Sequence, residues 1–294
     1  MADFILRAAV GRRASSPGLE TVRRHRAVTF LLTFVFCSLL ASCAGRKVDL
    51  SAGQGEADKV LFERGSLSVE DRKWLTAREY FRQIVDGYPQ SAFRADAKLG
   101  LADTYFGENT TAAYVLAINE YREFLTFYPT HPRADYSQYK LAMCHVKQMA
   151  KPERDQSETK EALKEFAAFF ERFPNSALAA EVRARQRDAR DRLSQSEYRV
   201  GLFYYRARWY PGAIDRLRSL LKDDPEYTYR DAVYFHLAES LVKTGRPAEA
   251  LPYFQRILDE FATSEYLEQA RLRLQELKPA EGSAVLSGSP ATRD

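Results

Sequence analysis

The chain has 294 residues, of which 45% are hydrophobic, 13% aromatic and 29% charged, a composition that allows a folded core. Its formal net charge of +4 comes entirely from the N-terminal segment. Six of the 44 basic and two of the 40 acidic residues fall within residues 1–42, which leaves 38 of each in the remainder. Without a basic excess beyond residue 42, we predict no nucleic-acid partner, since binding to phosphates requires one.

The N-terminal segment has the features of a signal peptide. A basic run, residues 23–26, precedes an apolar stretch over 27–40 that is short for a membrane span. It ends in Leu-Ala-Ser-Cys43, which resembles a bacterial lipobox and implies cleavage before Cys43 and lipid attachment to its thiol. The alternative is an uncleaved anchor helix that ends in an incidental cysteine. Ala44 follows the cysteine, and by resemblance to known sorting signals this favours outer-membrane attachment.

Cysteine usage agrees with this assignment. Cys37 would leave with the leader and Cys43 would carry lipid, so Cys144 would be the only free thiol and no intrachain disulfide could form. Cys144 and His145 are adjacent, but a metal site would need two further ligands nearby. We therefore predict that Cys144 is a core residue and that the protein has no metal and no cofactor.

Five segments repeat one pattern: Ala, then an aromatic residue or Leu four residues later, an apolar residue three further on, and usually an aromatic residue and Pro at the end. The five segments start at Ala77, Ala117, Ala162, Ala213 and Ala250. These spacings place the side chains on one stripe of a helix, and the proline ends it. This is how the second helix of a tetratricopeptide repeat packs, whereas a coiled coil would need sustained heptads. The sequence therefore predicts an all-α tetratricopeptide-repeat superhelix of about five helix pairs.

The spacing between the repeats is irregular. The five alanines are 40, 45, 51 and 37 residues apart, against about 34 in a standard unit. We assign the surplus to loops over residues 107–111 and 151–157 and to an extra-long helix between 176 and 194. The predicted domains are a leader and signal peptide (1–42), a lipid-proximal linker (43–56), the repeat domain (57–277) and a disordered tail (278–294).

Sequence motifs for catalysis are absent. The chain beyond Cys43 has three histidines, at positions 131, 145 and 236, and no nucleophile elbow, phosphate loop, HExxH or CxxC. Its carboxylates mostly alternate with Lys and Arg at helical spacing, as on a solvated helix face. We therefore predict that the protein is not an enzyme.

Finer motifs resemble the BamD family of outer-membrane assembly lipoproteins over residues 57–277. One match is the turn HPxxDYxxY, another is Arg154-Asp155, and a third is the stretch DRLxxxExxVAxYY, in which Gly201 replaces the usual Ala. The residues that carry the first and third motifs include His131, Asp135, Tyr136 and Tyr139, and then Asp191, Glu197, Val200, Tyr204 and Tyr205.

The resemblance implies a subunit of the machinery that inserts β-barrel proteins into the outer membrane, held at the periplasmic face by its lipid. Its partners would be the barrel subunit BamA, other barrel-assembly lipoproteins and the C-terminal segments of unfolded outer-membrane proteins. In the family the C-terminal repeats bind BamA, and Arg216, Glu197 and Tyr204 occupy the corresponding places. The alternative for Arg216 is a solvated helix charge.

The N-terminal repeats would receive the unfolded substrate. The first helices of stacked pairs line the inner groove of a superhelix, a surface suited to an extended peptide. On the first helix of the second repeat, Asp96, Leu99, Asp103 and Phe106 occupy the expected inward face. The alternative function is another envelope repeat lipoprotein, such as a type IV pilus secretin pilotin or a cell-wall coordination factor.

Overall fold

A computed structural model describes residues 54–277, and these form eleven α-helices with no strand among them. The helices are α1 (Gln54–Glu70), α2 (Trp74–Gly87), α3 (Arg94–Glu108), α4 (Thr111–Phe127), α5 (Ala134–Gln148), α6 (Ser157–Arg172), α7 (Ala179–Arg206), α8 (Tyr210–Asp223), α9 (Arg230–Lys243), α10 (Pro247–Glu260) and α11 (Leu267–Leu277). The predicted all-α fold is confirmed. The signal peptide, the tail after 277 and most of the predicted linker lie outside the described residues.

The five predicted stripes lie on the second helices of five pairs, α2, α4, α6, α8 and α10. The alanine that starts each stripe is fully buried, which lets the neighbouring helices approach closely. The large side chains that follow are also buried and fill the space beyond this contact: Phe81, Ile84, Tyr121, Phe124, Phe166, Phe169, Leu217, Leu220, Phe254 and Ile257. The helix pairs therefore form because this spacing gives each second helix one apolar face.

The long helix predicted between residues 176 and 194 is α7, and it continues to Arg206. Its first half packs Val182 and Ala189 against the third repeat's core, which includes Phe166. Its second half packs against α8, where Tyr198 joins Ile214 in a separate core. One helix thus serves two repeats at two levels along its axis, which accounts for the 51-residue spacing.

The loop predicted over residues 107–111 is wrong in extent. Gly107 belongs to α3, and only Asn109 and Thr110 connect α3 to α4. Within the helix Gly107 lets the Trp74 ring pack against bare backbone, since a Cβ there would come within 2.6 Å of that ring. Asn109 then adopts a left-handed conformation (φ 58°), and the Thr110 side chain accepts a hydrogen bond from Ala113 N at 3.2 Å. The short connection therefore includes both a turn residue and an N-cap.

The other boundaries are closer to prediction. A polar loop separates α5 from α6 as predicted, but α6 begins at Ser157, which was assigned to the end of that loop. Helix α1 begins at Gln54, slightly before the predicted start of the domain, and α11 is a final helix that the repeat pattern did not predict. Cys144 is fully buried as predicted, and burial raises the pKa of its thiol to about 12.

We expect Gly201→Ala to lower the free energy of unfolding. An added Cβ would meet Leu217 Cγ at 2.8 Å, at the contact between α7 and α8. Such overpacking costs about 1–3 kcal/mol and better helix propensity returns about 1 kcal/mol, so we expect a net loss of about 1 kcal/mol. Urea unfolding followed by circular dichroism measures it. Gly87→Ala is the control, because its Cβ would meet nothing within 4 Å. Equal stability of Gly201→Ala and wild type would contradict this packing.

Candidate functional site

The turn motif that carries the family resemblance connects successive repeats. His131 Nδ1 accepts a hydrogen bond from Arg133 N at 3.2 Å, which is the capping role expected of a turn residue. Asp135, in the first turn of α5, accepts a hydrogen bond from Ser176 Oγ at 2.5 Å in the next turn. Asp231 and Ser264 repeat this contact at 2.6 Å two repeats later. These contacts give His131 and Asp135 a structural role.

The two tyrosines of the motif reach in opposite directions. Tyr136 donates a hydrogen bond to Asp103 Oδ1 (3.0 Å) on α3, and Tyr139 donates one to Glu181 Oε1 (2.6 Å) on α7. Burial, together with the Glu181 carboxylate, raises the pKa of Tyr139 to about 12. Both hydroxyls therefore remain protonated at neutral pH and act as hydrogen-bond donors between first helices.

Asp103 is the centre of the polar cluster between α3 and α5. It accepts hydrogen bonds from Tyr121 (2.6 Å) and Tyr136 (3.0 Å), and Arg133 Nη2 lies 3.7 Å from its other oxygen. Burial raises its pKa, although these hydroxyls and the nearby charges of Lys140 and Arg133 oppose that shift. Asp103 therefore orients the surrounding side chains as well as contributing its own charge.

The four residues predicted to line the groove have different environments. Asp96 is partly exposed, with His131 Nε2 at 3.8 Å and Arg133 Nη1 at 3.9 Å. Phe106 is partly buried and packs against Lys140. Leu99, however, is fully buried within the hydrophobic core. Its assignment to the groove surface was wrong, because the stripe of α3 that includes Leu99 packs against neighbouring helices.

Two of the three predicted partner-binding residues lie in one cleft. Glu197 on α7 and Arg216 on α8 are both exposed and line a cleft of about 600 Å³, whose edge on α6 includes Lys160. A Cβ at Gly201 would lie only 3.7 Å from Arg216 Cβ, so Arg216 stands at the contact between α7 and α8. No carboxylate within residues 54–277 is within salt-bridge distance of Arg216. The cleft therefore offers an accessible guanidinium.

Tyr204, the third residue, belongs to an adjacent apolar surface. It lines a separate cleft of about 440 Å³ with Val200 and Phe203, and Pro152 and Glu153 of the loop between α5 and α6 line the other side. Phe203 is 66% exposed and Trp209 56% exposed, and both rings pack against Tyr204, at 5.6 and 4.8 Å between centroids. We call Val200, Phe203, Tyr204 and Trp209 the aromatic stripe. Contiguous exposed apolar side chains of this kind mark interaction sites.

Three members of the aromatic stripe, Val200, Phe203 and Trp209, were not predicted as site residues. Val200, Phe203 and Tyr204 follow helical spacing along α7, and this pattern alone predicts a core-facing stripe. A signal was present, since Tyr198 and Leu202, four residues apart, supply a second apolar face on the same helix. A helix with two apolar faces can bury one face in the core and leave the other exposed for a partner.

Asp224 links α7 to the end of α8 and lines the cleft of Glu197 and Arg216. It replaces the aromatic residue that precedes the proline in the first three repeats, and it is 5% exposed. Arg187 donates two hydrogen bonds to its carboxylate, one of them 2.9 Å long, and Ser194 Oγ donates a third at 2.5 Å. These donors hold the pKa of Asp224 below its ordinary value of 3.8, although burial acts in the opposite direction.

No group of three or more His, Cys, Asp or Glu side chains within residues 54–277 is placed to hold a metal ion. No helix in the same range is both long and apolar enough to cross a membrane.

Comparisons with known proteins match most of the chain. Residues 54–243 match the family model YfiO, described as an outer membrane lipoprotein, and residues 232–264 match a tetratricopeptide repeat. The outer membrane protein assembly factor BamD of Caulobacter vibrioides is 26% identical over 233 residues, which cover 79% of this chain and 75% of that protein. BamD of Neisseria meningitidis serogroup A is 23% identical over a region that covers 82% of this chain and 94% of that protein.

Among solved structures, the TPR2AB domain of yeast Sti1 in its complex with pHSP90 aligns at a TM-score of 0.46 and 12% identity, covering 76% of this chain and 83% of that chain. The YfiO model covers well over half of the chain described here. The chain therefore belongs to the YfiO family of outer membrane lipoproteins, which includes the assembly factor BamD.

Proposed function

We propose that this chain is a non-enzymatic scaffold subunit of the outer-membrane β-barrel assembly machinery. A lipid on Cys43 would hold it at the periplasmic face of the outer membrane, and its repeats would bind BamA and the other lipoproteins of that machinery. Support comes from the family match, from BamD relatives named as assembly factors, and from the lipobox-like sequence before Cys43. Two surfaces of the repeat domain are suited to the two kinds of partner.

The observation that carries the BamA part of the proposal is the pairing of the aromatic stripe with the cleft of Glu197 and Arg216. Both surfaces lie along the second half of α7. The cleft of Glu197 and Arg216 faces α8, and the cleft beside Tyr204 faces the loop between α5 and α6. Aromatic and Arg side chains contribute most of the binding energy at protein interfaces, particularly where apolar contacts surround the charged ones. The described surface therefore supplies both parts of an interface, apolar contact area and an unpaired charge.

The N-terminal groove fits an extended polypeptide. Phe106 and Asp96 on α3 and Tyr136 on α5 present two aromatic rings and a carboxylate, and Arg133 at the N-cap of α5 presents a guanidinium. Rings accept alternate apolar side chains of an extended segment, and polar groups bind its backbone. The C-terminal segments of unfolded outer-membrane proteins are the ligands that we propose for this groove.

The test is affinity capture with the lipidated full chain in detergent, followed by mass spectrometry. We expect recovery of BamA, and recovery of a secretin in its place would contradict the proposal. We expect Arg216→Glu to reduce BamA recovery about tenfold, because truncating or reversing an interface charge typically costs 1–2 kcal/mol or more. Lys222→Glu is the matched control, since Lys222 is exposed on the same helix and outside the cleft.

A further inference from the structure

Four large apolar side chains are exposed at one edge of the first two helix pairs. Leu67 and Leu75 flank the connection between α1 and α2, and their exposed fractions are 60% and 74%. Val115 and Leu116 lie near the start of α4 and are 50% and 46% exposed. The exposed fraction of Leu75 is the largest among the large apolar side chains of residues 54–277. We call these four residues the N-terminal apolar edge.

Contacts between the helices bring the starts of α2 and α4 to the same edge. The Trp74 ring at the start of α2 packs on the backbone of Gly107, where a Cβ would lie 2.6 Å from it. One turn further along α2, Arg78 Nη2 donates a hydrogen bond to Glu108 Oε2 at 2.6 Å. Gly107 and Glu108 end α3, and α4 begins three residues after Glu108. The two connections within pairs are therefore neighbours.

The charges beside this edge balance. The connection between α1 and α2 carries Glu70, Asp71, Arg72 and Lys73, all exposed, and Lys73 Nζ lies 2.8 Å from Asp71 Oδ2. Two acidic and two basic side chains give no net charge, so charge alone attracts neither an acidic nor a basic partner. The edge offers apolar contact area instead. The interfacial layer of a phospholipid bilayer binds such a surface with a strength that scales with the apolar area buried.

The linker is long enough to let this edge reach the membrane. Eleven residues, 43–53, come before the start of α1, and a chain of that length spans at most about 36–40 Å. Helix α1 has 17 residues and is therefore about 25 Å long. A short tether also gives the second contact an effective concentration of about the millimolar range, so that a few apolar side chains suffice to populate it.

We propose that the N-terminal apolar edge contacts the membrane that carries the lipid, with Leu67 and Leu75 in the interfacial layer. The inference rests on the proposed function, because the lipid on Cys43 is part of it, and it adds a second point of contact. A single flexible tether leaves the repeat domain free to rotate, whereas two contacts fix its orientation. The repeats would then present the same surfaces to their partners each time.

Quenching of a fluorescent label in vesicles tests this contact. The lipidated full chain with Leu75→Cys is labelled with NBD maleimide and reconstituted into vesicles of phosphatidylethanolamine and phosphatidylglycerol that contain a doxyl-labelled lipid. The introduced thiol is the reactive one, because Cys144 is fully buried with its pKa raised to about 12, Cys43 would carry lipid and Cys37 would leave with the leader. We expect the doxyl lipid to reduce the fluorescence about twofold, since interfacial segments bury their apolar side chains about 5–10 Å deep.

Phe127→Cys is the matched control, because Phe127 is 68% exposed at the other end of α4, about 17 Å beyond Leu116. Its label should not be quenched, and Leu67→Asp added to the Leu75→Cys chain should lower the quenching to that level. Equal quenching at positions 75 and 127, or quenching at 75 that Leu67→Asp leaves unchanged, would overturn the contact while leaving the proposed function intact. A chain that does not float with the vesicles would overturn both the lipid anchor and this inference.

Discussion

Replacing Asp224 by alanine is expected to lower the free energy of unfolding by about 3 kcal/mol, near the low end of the cost of breaking a buried ion pair. The substitution leaves the Arg187 guanidinium without its two hydrogen bonds and Ser194 without its acceptor. The cost stays at the low end because Asp191 remains 2.8 Å from Arg187 Nη2. α7 would lose these hydrogen bonds to the residue that follows α8. Chemical denaturation at pH 7 measures the difference.

Asp223→Ala is the matched control, because Asp223 is the exposed neighbour of Asp224. The pH dependence provides a second check. The pKa of Asp224 is lowered in the folded state, so its contribution is present above 3.8 and is lost as the pH falls through the folded pKa. The stability difference between wild type and Asp224→Asn should therefore shrink below about pH 4. A difference that stays constant down to pH 2 would contradict the role of this carboxylate.

Replacing Phe203 by aspartate is expected to weaken BamA binding at least thirtyfold, or about 2 kcal/mol, the threshold of an interface hot spot. Phe203 is the most exposed member of the aromatic stripe, so the substitution removes apolar contact and places a charge where a partner would exclude water. Its exposure also means that the fold should tolerate the change. Surface plasmon resonance between the lipidated chain in detergent and purified BamA measures the affinity.

Phe127→Asp provides a control of equal chemistry. Phe127 is 68% exposed at the end of α4 and lies outside the stripe. It should leave BamA affinity unchanged, and both variants should unfold at the same denaturant concentration as wild type. If the two variants weakened binding equally, the interface would not be specific to the stripe. If neither did, the BamA surface would have to lie elsewhere.

The repeat architecture could be predicted because it depends on local spacing. An alanine, a large apolar residue four positions later and another three further on lie on one helical stripe wherever they occur. Each second helix therefore has its apolar face determined by its own residues, and Ala77 and Ala250 are buried for the same reason. The long α7 was predictable for a similar reason, since the segment from Ala177 to Leu193 contains neither proline nor glycine.

The charged contacts could not be predicted in this way. Asp224 occupies the place of an aromatic residue, and its partner Arg187 lies 37 residues earlier in the chain. Lys140 resembles other solvated lysines in the sequence, yet the structure places it against Phe106 from another repeat. Leu99 was assigned to the groove because helical spacing gives the relative angle of side chains and not the neighbour that each one meets.

By itself the sequence determined the lipobox-like leader, the helix pairs and the face that each second helix buries, because these depend on residues within one or two helical turns of each other. Only the tertiary structure decided which charges are paired, that α7 serves two repeats, and which apolar side chains of α7 remain exposed as the aromatic stripe. Those outcomes depend on distances between side chains that are 30 or more residues apart in sequence, as for Arg78 and Glu108 at 2.6 Å. Such distances are set by how successive helix pairs stack.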